Sequence, residues 1–383
     1  MRVMLLSTPF PSHFSPMIPL AWALRAAGHE VRVVAQPDVV DLAHEAGLCT
    51  ATVGERYYAF DNVRALARAG GLGGAASGRT ASPASSAMLW YFHAGYLLPR
   101  YLEFARSWRP DLIVSEQFEL TGTIIAAVLG IPSIRHRWGI DPLSDTIRAV
   151  SKTALLAACL RHGLDGLPEP TLLLDPCPPT LQIPGVTPGL PIRHVPYNGP
   201  GGVPEWLDDR RADRRVCVSL GRWTLKLGGI PLLRGICEAF DGMDEVEAVV
   251  TADAESAAEL GPVPKSVRVV PPTPLHLFLD GCDAVVHHCG ANTAMTVAGS
   301  GKPQVILPQL GDEYAAANRV AAVEAAVTIE DGDRQRDPAV LRAALDQVLA
   351  DPRHAKAAAA IGAEMAAMPS PALVVTDLAT ALR

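Results

Sequence analysis

The sequence contains no Cys-x-x-Cys pair. Its seven cysteines, Cys49, Cys159, Cys177, Cys217, Cys237, Cys282 and Cys289, are scattered and odd in number. That distribution argues against structural zinc and against a disulfide framework, and for reduced thiols in a cytoplasm. No stretch approaches the roughly 20 apolar residues that a membrane span needs. The apolar start, Met1 to Ser7, is broken by Pro9, Pro11 and His13, which argues against a secretory leader. Basic blocks are missing as well: Ala212-Asp213 separates Arg210-Arg211 from Arg214-Arg215, and the formal net charge is −7. Nucleic acid is therefore not an expected partner. Nor does a G-x-G-x-x-G follow the first apolar run, where a dinucleotide oxidoreductase would place it under the pyrophosphate.

What is present is a packed α/β chain. Hydrophobic residues make up 49% of it and charged residues only 19%, and 383 residues are comfortable for two domains. Short apolar runs alternate with helical patterns. Val3–Ser7, Val31–Ala35, Leu112–Ser115 and Ile131–Arg135 read as strands, with helices over about 16–27 and 121–129. A second series follows at Val216–Leu220, Val246–Thr251, Val267–Val270, Ala284–Val286 and Gln304–Leu307. Between the two series, residues 175–202 are crowded with Pro and Gly and read as a connector without a core of its own. The Gly-, Ala- and Ser-rich stretch 70–86 reads as a loop, and the helical sequence after it carries Trp90, Tyr91, Phe92, Tyr96 and Phe104.

The stretch Ala284–Arg319 organises the chemistry. A buried strand turns through His287-His288-Cys289-Gly290 into a small-residue helix from about Asn292, closed by Gly299 and Gly301 before Pro303. Free N–H groups at the helix start form an anion site, and small Gly290 and Ala291 allow close approach. Asn292 and Thr293 add side-chain donors, and His288 stands at the strand mouth. About twenty residues on, Asp312 and Glu313 are acceptors suited to sugar hydroxyls. A bare tight connection explains the turn equally well on these grounds alone. So many residues at one spacing decide between the two. His287, His288, Gly290, Thr293, Gly301, Pro303, Pro308, Gln309, Asp312, Asn318 and Val320 resemble the donor signature of nucleotide-sugar-dependent glycosyltransferases of the two-domain GT-B type. More narrowly, the chain resembles the GT1-like actinobacterial enzymes that attach deoxysugars to polyketide-like and other natural-product aglycones.

The resemblance implies two Rossmann-like domains facing a central cleft: an acceptor domain over 1–190, a linker over 191–212 and a donor domain over 213–368. A last helix over 369–383 would pack back on the first domain. It implies a general base at His13 oriented by Glu116, with Asp141, an acid lining the acceptor site, as a second candidate base. Gly221 and Arg222 would join His288, Cys289, Gly290, Ala291, Asn292 and Thr293 around the donor phosphates. Pro272, Thr273 and Leu275 would meet the base, Asp312 and Glu313 the sugar, and 70–86 would border the acceptor as a lid. No metal and no cofactor are implied beyond the nucleotide sugar, with thymidine diphosphate the usual carrier. The implied partners are that donor and an aglycone, with a homodimer as the assembly. A nucleotide-sugar epimerase or hydrolase of the same fold, or a non-catalytic helper protein, are the alternatives.

Overall fold

The computed structural model describes residues 1–68 and 83–381. Two all-parallel sheets carry the fold. The first holds β1 (Arg2–Leu6), β2 (Glu30–Ala35), β3 (Thr50–Thr52), β4 (Leu112–Glu116), β5 (Ser133–His136), β6 (Leu172–Asp175) and β7 (Leu190–Pro191), in the order β3-β2-β1-β4-β5-β6-β7. The second holds β8 (Arg214–Ser219), β9 (Val246–Thr251), β10 (Val267–Val270), β11 (Ala284–His287), β12 (Gln304–Ile306) and β13 (Ala326–Thr328), in the order β10-β9-β8-β11-β12-β13. Near-continuous Val, Ile, Leu and Ala runs form these strands because helices cover both faces of each sheet. Met4, Leu5, Val114, Val218, Val249 and Val286 are accordingly buried.

Each sheet reverses its winding direction once, between β1 and β4 in the first and between β8 and β11 in the second. The loops leaving those four strands diverge there and open a crevice at the carboxyl ends. His13 follows β1 and Glu116 ends β4; Gly221 follows β8 and His288 follows β11. The topology alone thus brings the candidate residues of each half to one place.

Several elements differ from the sequence reading. The helix expected over 16–27 is instead a short helical turn, Pro11–Phe14, a 3₁₀ turn, Ser15–Met17, and a helix, Ile18–Ala26. The prolines at 11, 16 and 19 open successive segments, since each lacks an N–H and suits a first turn. The connector is not coreless. Leu181 and Cys177 pack with Met295 of the second domain, and Ile192 and Tyr197 join the first domain's core. Of the loop read as a lid, residues 70–82 lie outside those described, and 83–86 begin the helix Pro83–Trp108.

The C-terminal segment Pro352–Leu378 is long and apolar enough, by length and composition, to cross a membrane, its most apolar 18-residue window having a mean hydropathy of 1.4. That corrects the expectation that no such segment exists. In the fold it is two helices, Pro352–Ala367 and Pro371–Ala381, broken at Pro369-Ser370. The first buries Ala358, Ile361 and Met365 in the second domain; the last buries Val374, Val375 and Leu378 among Leu20, Ala21 and Leu24 of the first.

Candidate active site

On the first domain's side, His13 sits in an aromatic cage. Its ring lies 3.8 Å from that of Trp138, 4.9 Å from Phe10, 5.8 Å from Trp90 and 6.0 Å from Phe118, between centroids. The side chain is 15% exposed, so a substrate can reach it. Glu116 is fully buried, yet its Oε1 stands 3.8 Å from His13 Nδ1, beyond hydrogen-bonding distance. The hydroxyl of Thr8 occupies the gap: its Oγ1 is 2.7 Å from Nδ1 and donates to Glu116 Oε1 at 2.7 Å. Backbone N–H groups hold the carboxylate further, Phe118 N donating to Oε2 at 2.8 Å and Thr8 N to Oε1 at 3.3 Å. Burial pushes the Glu116 carboxyl up, but His13, the Phe118 N–H and Thr8 together bring it below its ordinary value, so it is ionised.

Asp141 has different company. Arg137, fully buried, donates from Nε to Asp141 Oδ2 and from Nη1 to Asp175 Oδ2, each at 2.8 Å. Asp141 Oδ1 accepts from Ser144 N at 2.8 Å and Leu143 N at 3.2 Å, and Ser144 Oγ donates to Oδ2. Both carboxylate oxygens are therefore committed to an ion pair and to the start of the helix Ser144–Ala154. Removing one member of a buried pair strands the other charge, at about 3–5 kcal/mol. Asp141→Asn is expected to lower the melting temperature sharply while turnover per folded molecule stays within about tenfold, a loss well short of a general base's. Melting curves with active-site-normalised rates separate the two effects.

On the second domain's side, the turn after β11 is shaped by backbone. Cys289 adopts φ +72°, a left-handed conformation uncommon outside glycine. Its N–H donates to His287 Nδ1 at 3.1 Å, and His287 Nε2 is 2.8 Å from Gln304 Oε1. Burial holds His287 neutral, with its pKa down to about 4, so Nε2 carries the proton and donates to Gln304. Cys289 is a correction to the expected set of phosphate ligands. Its N–H is engaged and its thiol is buried beside Met295 and Ile306, so it sets the bend and offers no contact.

The helix is Ala291–Ser300, with Gly290 as its N-cap and no side-chain cap; the first internal bond is Ala294 N to Gly290 O at 2.9 Å. The N–H groups of Ala291, Asn292 and Thr293 precede that bond and form the positive pole of the helix. The helix runs through Gly299 and is closed by Gly301 alone, at φ +67°. Only the side chain of Asn292 departs from the expectation: its Nδ2 donates to Tyr197 O in the linker at 3.1 Å and ties the helix to the interdomain strap, while its backbone N–H stays with the helix start. His288 is wedged between two glycines. A Cβ on Gly290 would lie 2.4 Å from His288 Nε2, and one on Gly221 2.8 Å from its Cε1. Arg222 is exposed and lies within electrostatic reach of Asp253.

The two acids after β12 fall in the first turn of the helix Gly311–Ala322, not in a loop. Glu313 Oε2 accepts from Gln309 N at 2.8 Å and Leu310 N at 2.9 Å, as a capping residue does. Its Oε1 faces His288 Nε2 at 3.8 Å. Burial drives both groups neutral: His288 goes down to about 3, and Glu313 up to about 8 with the Asp312 charge adding to the effect. Asp312 is half-buried, and burial raises its carboxyl above the ordinary value despite the opposing influence of His13, which lies within electrostatic reach across the cleft. At the end of β10, Leu275 is buried against Phe278 and Thr273 Oγ1 donates to Pro271 O at 2.9 Å, while Pro272 is exposed. Any base contact at Leu275 would be through its backbone.

The halves meet at these features. Ala291, the first residue of that helix, packs against the hydrophobic cluster of Trp90, Phe118, Trp138 and Ile147. Gly139 lies against Met295 so closely that a Cβ would stand 2.5 Å from Met295 Cγ. Trp223 reaches Phe10 at 5.9 Å and Phe60 at 5.3 Å. Thr8, Trp138 and Met295 carry no sequence signal that sets them apart from ordinary loop and core residues; only the folded contacts reveal them.

Comparison with known proteins agrees with the two-sheet α/β fold. Residues 22–221 match the erythromycin biosynthesis protein CIII-like N-terminal domain, and residues 237–381 the corresponding C-terminal domain. L-demethylnoviosyl transferase of Streptomyces niveus is 33% identical over 100% of this chain and 99% of its own. The 10-deoxymethynolide desosaminyltransferase of Streptomyces venezuelae is 33% identical over 99% of this chain and 96% of its own. Among solved structures, spinosyn rhamnosyltransferase SpnG in complex with thymidine diphosphate superposes with a TM-score of 0.88 at 36% identity, covering 99% of this chain and 100% of that one. Glycosyltransferase VinC in complex with dTDP gives 0.84 at 31% identity, covering 99% of each. With both domains matched along nearly their whole length, the chain belongs to the erythromycin biosynthesis protein CIII-like family of two-domain α/β natural-product glycosyltransferases.

Proposed function

We propose that the protein transfers a deoxysugar from its thymidine diphosphate ester to a hydrophobic polyketide-like aglycone, inverting the anomeric centre and using no metal. In this reading His13 Nε2 takes the acceptor's proton. The acceptor attacks the anomeric carbon through an oxocarbenium-like transition state, and thymidine diphosphate leaves on the opposite face. The amides of Ala291, Asn292 and Thr293, with the neutral imidazole of His288, receive the charge that develops on the departing diphosphate. Asp312, opposite His13, reads the sugar. One observation carries the proposal: the aromatic cage around the candidate base abuts the first residue of the anion-binding helix. Candidate base and proposed leaving-group site are therefore neighbours across the interface of the two halves.

Metal independence is supported by the donor set. Backbone N–H groups at a helix start attract anions and repel cations. Turnover undiminished by a chelator is the expected result, and recovery of lost activity by added Mg²⁺ would contradict it. A cytoplasmic location belongs to the same proposal and is supported by seven free thiols. Incubation with a panel of thymidine diphosphate deoxysugars and polyketide aglycones, read by mass spectrometry and anomeric NMR couplings, tests the activity. Products of retained configuration, or sugar released without an acceptor, would overturn it.

Glu313 supplies a pH signature. Its folded carboxyl stays protonated to about pH 8, against an ordinary value of 4.5. Its stabilisation is thus fully present below pH 4.5 and lost as pH rises toward 8. His288 acts oppositely: its stabilisation is present above its ordinary 6.5 and lost as pH falls toward 3. Glu313→Gln keeps an acceptor for the Gln309 and Leu310 N–H groups and cannot ionise. Melting temperatures of the variant should rise relative to wild type between about pH 5 and 8, with the acid limb unchanged. Parallel curves would show that Glu313 ionises normally.

A further inference from the structure

We propose that Thr8 is a positioning residue for the reaction: its hydroxyl fixes the tautomer of His13, so that a His–Thr–Glu chain stands where a direct His–acid pair would be expected. The inference rests on the reading of His13 as general base. The direct Nδ1–Oε1 separation of 3.8 Å is too long for a hydrogen bond, whereas both Thr8 contacts are 2.7 Å.

Proton counting then leaves one arrangement. The ionised Glu116 carboxylate can only accept, and a hydroxyl has a single proton to give. Thr8 Oγ1–H must point to Glu116 Oε1, so Thr8 presents a lone pair to His13. Nδ1 must then carry a hydrogen and donate it, which leaves Nε2 without one. The carboxylate cannot rotate away, because the Phe118 and Thr8 N–H groups hold its two oxygens. Thr8 is itself fully buried, so water does not compete for its hydroxyl.

During the reaction the acceptor's proton passes to Nε2, and the electron pair of the broken acceptor–hydrogen bond forms the new glycosidic bond. The imidazolium so formed keeps its Nδ1–H. Its charge polarises the Thr8 hydroxyl toward Glu116, and no proton leaves Thr8. The chain stabilises the imidazolium through two short bonds instead of one ionic contact.

The test uses Thr8→Val, Thr8→Ser, Glu116→Gln and His13→Gln in the full chain, with steady-state kinetics, thymidine diphosphate titration and ¹⁵N NMR of the histidine rings. Thr8→Val is nearly isosteric and is expected to lower kcat on the order of 10²-fold, with thymidine diphosphate affinity unchanged. Its His13 ¹⁵N shifts should move from the Nδ1–H tautomer toward a mixture. Thr8→Ser should restore most of the rate and the wild-type shifts, which a purely structural role for the methyl group would not do. Should Thr8→Val fold poorly, Glu116→Gln answers the same question. Its amide can donate to Thr8 and reverse the hydroxyl, so His13 should switch to the Nε2–H tautomer and lose rate similarly. Wild-type rates and an unchanged tautomer in Thr8→Val, with His13→Gln inactive, would overturn the bridge and leave the base standing. An active His13→Gln would overturn the base, and the bridge with it.

Discussion

His13→Gln is expected to lower kcat by about 10²–10⁴-fold, the usual contribution of a positioned general base. Thymidine diphosphate should bind this variant as it binds wild type. His13 belongs to the loop after β1, and the proposed diphosphate pocket is built by loops after β8 and β11 of the other sheet. A base acts on the acceptor only, so its loss touches the transition state and not the donor ground state. Glutamine keeps a hydrogen-bonding side chain of similar reach, which limits collapse of the cage formed by Trp138, Phe10, Trp90 and Phe118. Calorimetric titration beside steady-state rates makes the check. A parallel loss of donor affinity would mean that His13 holds the cleft together and does no proton chemistry.

The second large effect is expected at Gly290. Its own φ of −58° suits any residue, so the requirement for glycine is spatial. A Cβ there would meet His288 Nε2 at 2.4 Å, and the same ring lies so close to Gly221, at φ +69°, that a Cβ on that residue would stand 2.8 Å from its Cε1. Gly290→Ala must therefore push the imidazole, or the start of the helix Ala291–Ser300, out of place. Overpacking of this kind costs about 1–3 kcal/mol. If it falls on the donor-bound state, thymidine diphosphate affinity drops on the order of 10- to 100-fold. Gly290→Ala combined with His288→Ala relieves the clash and should recover helix geometry without recovering the imidazole's contribution. Unchanged affinity in Gly290→Ala would place the diphosphate away from this turn.

What can be read in the sequence is whatever local chemistry determines. Apolar runs bounded by Gly and Pro locate most strands, because a strand covered on both faces has only one composition open to it. His13, Glu116, His288 and Gly221 are legible as strand-end residues, and winding reversal brings strand ends together. The misreadings share a cause, which is that sequence spacing does not reveal who claims a polar group. Glu313 resembles a free acid by its spacing, and only the folded Gln309 and Leu310 N–H groups reveal it as a cap. Cys289 and Asn292 stand within the right motif, yet the Cys289 N–H is claimed by His287 through an uncommon φ and the Asn292 side-chain amide by Tyr197 across a long sequence separation. Thr8 escapes notice because a hydroxyl just past a strand is ordinary until two partners from different segments converge on it.

The decisive measurement is a crystal structure of the protein with thymidine diphosphate bound. The β-phosphate is predicted to lie within hydrogen-bonding distance of the Ala291–Thr293 amides and His288, with His13 Nε2 open toward the same cavity. A β-phosphate seated elsewhere, or a His13 ring turned out of that cavity, would contradict the account.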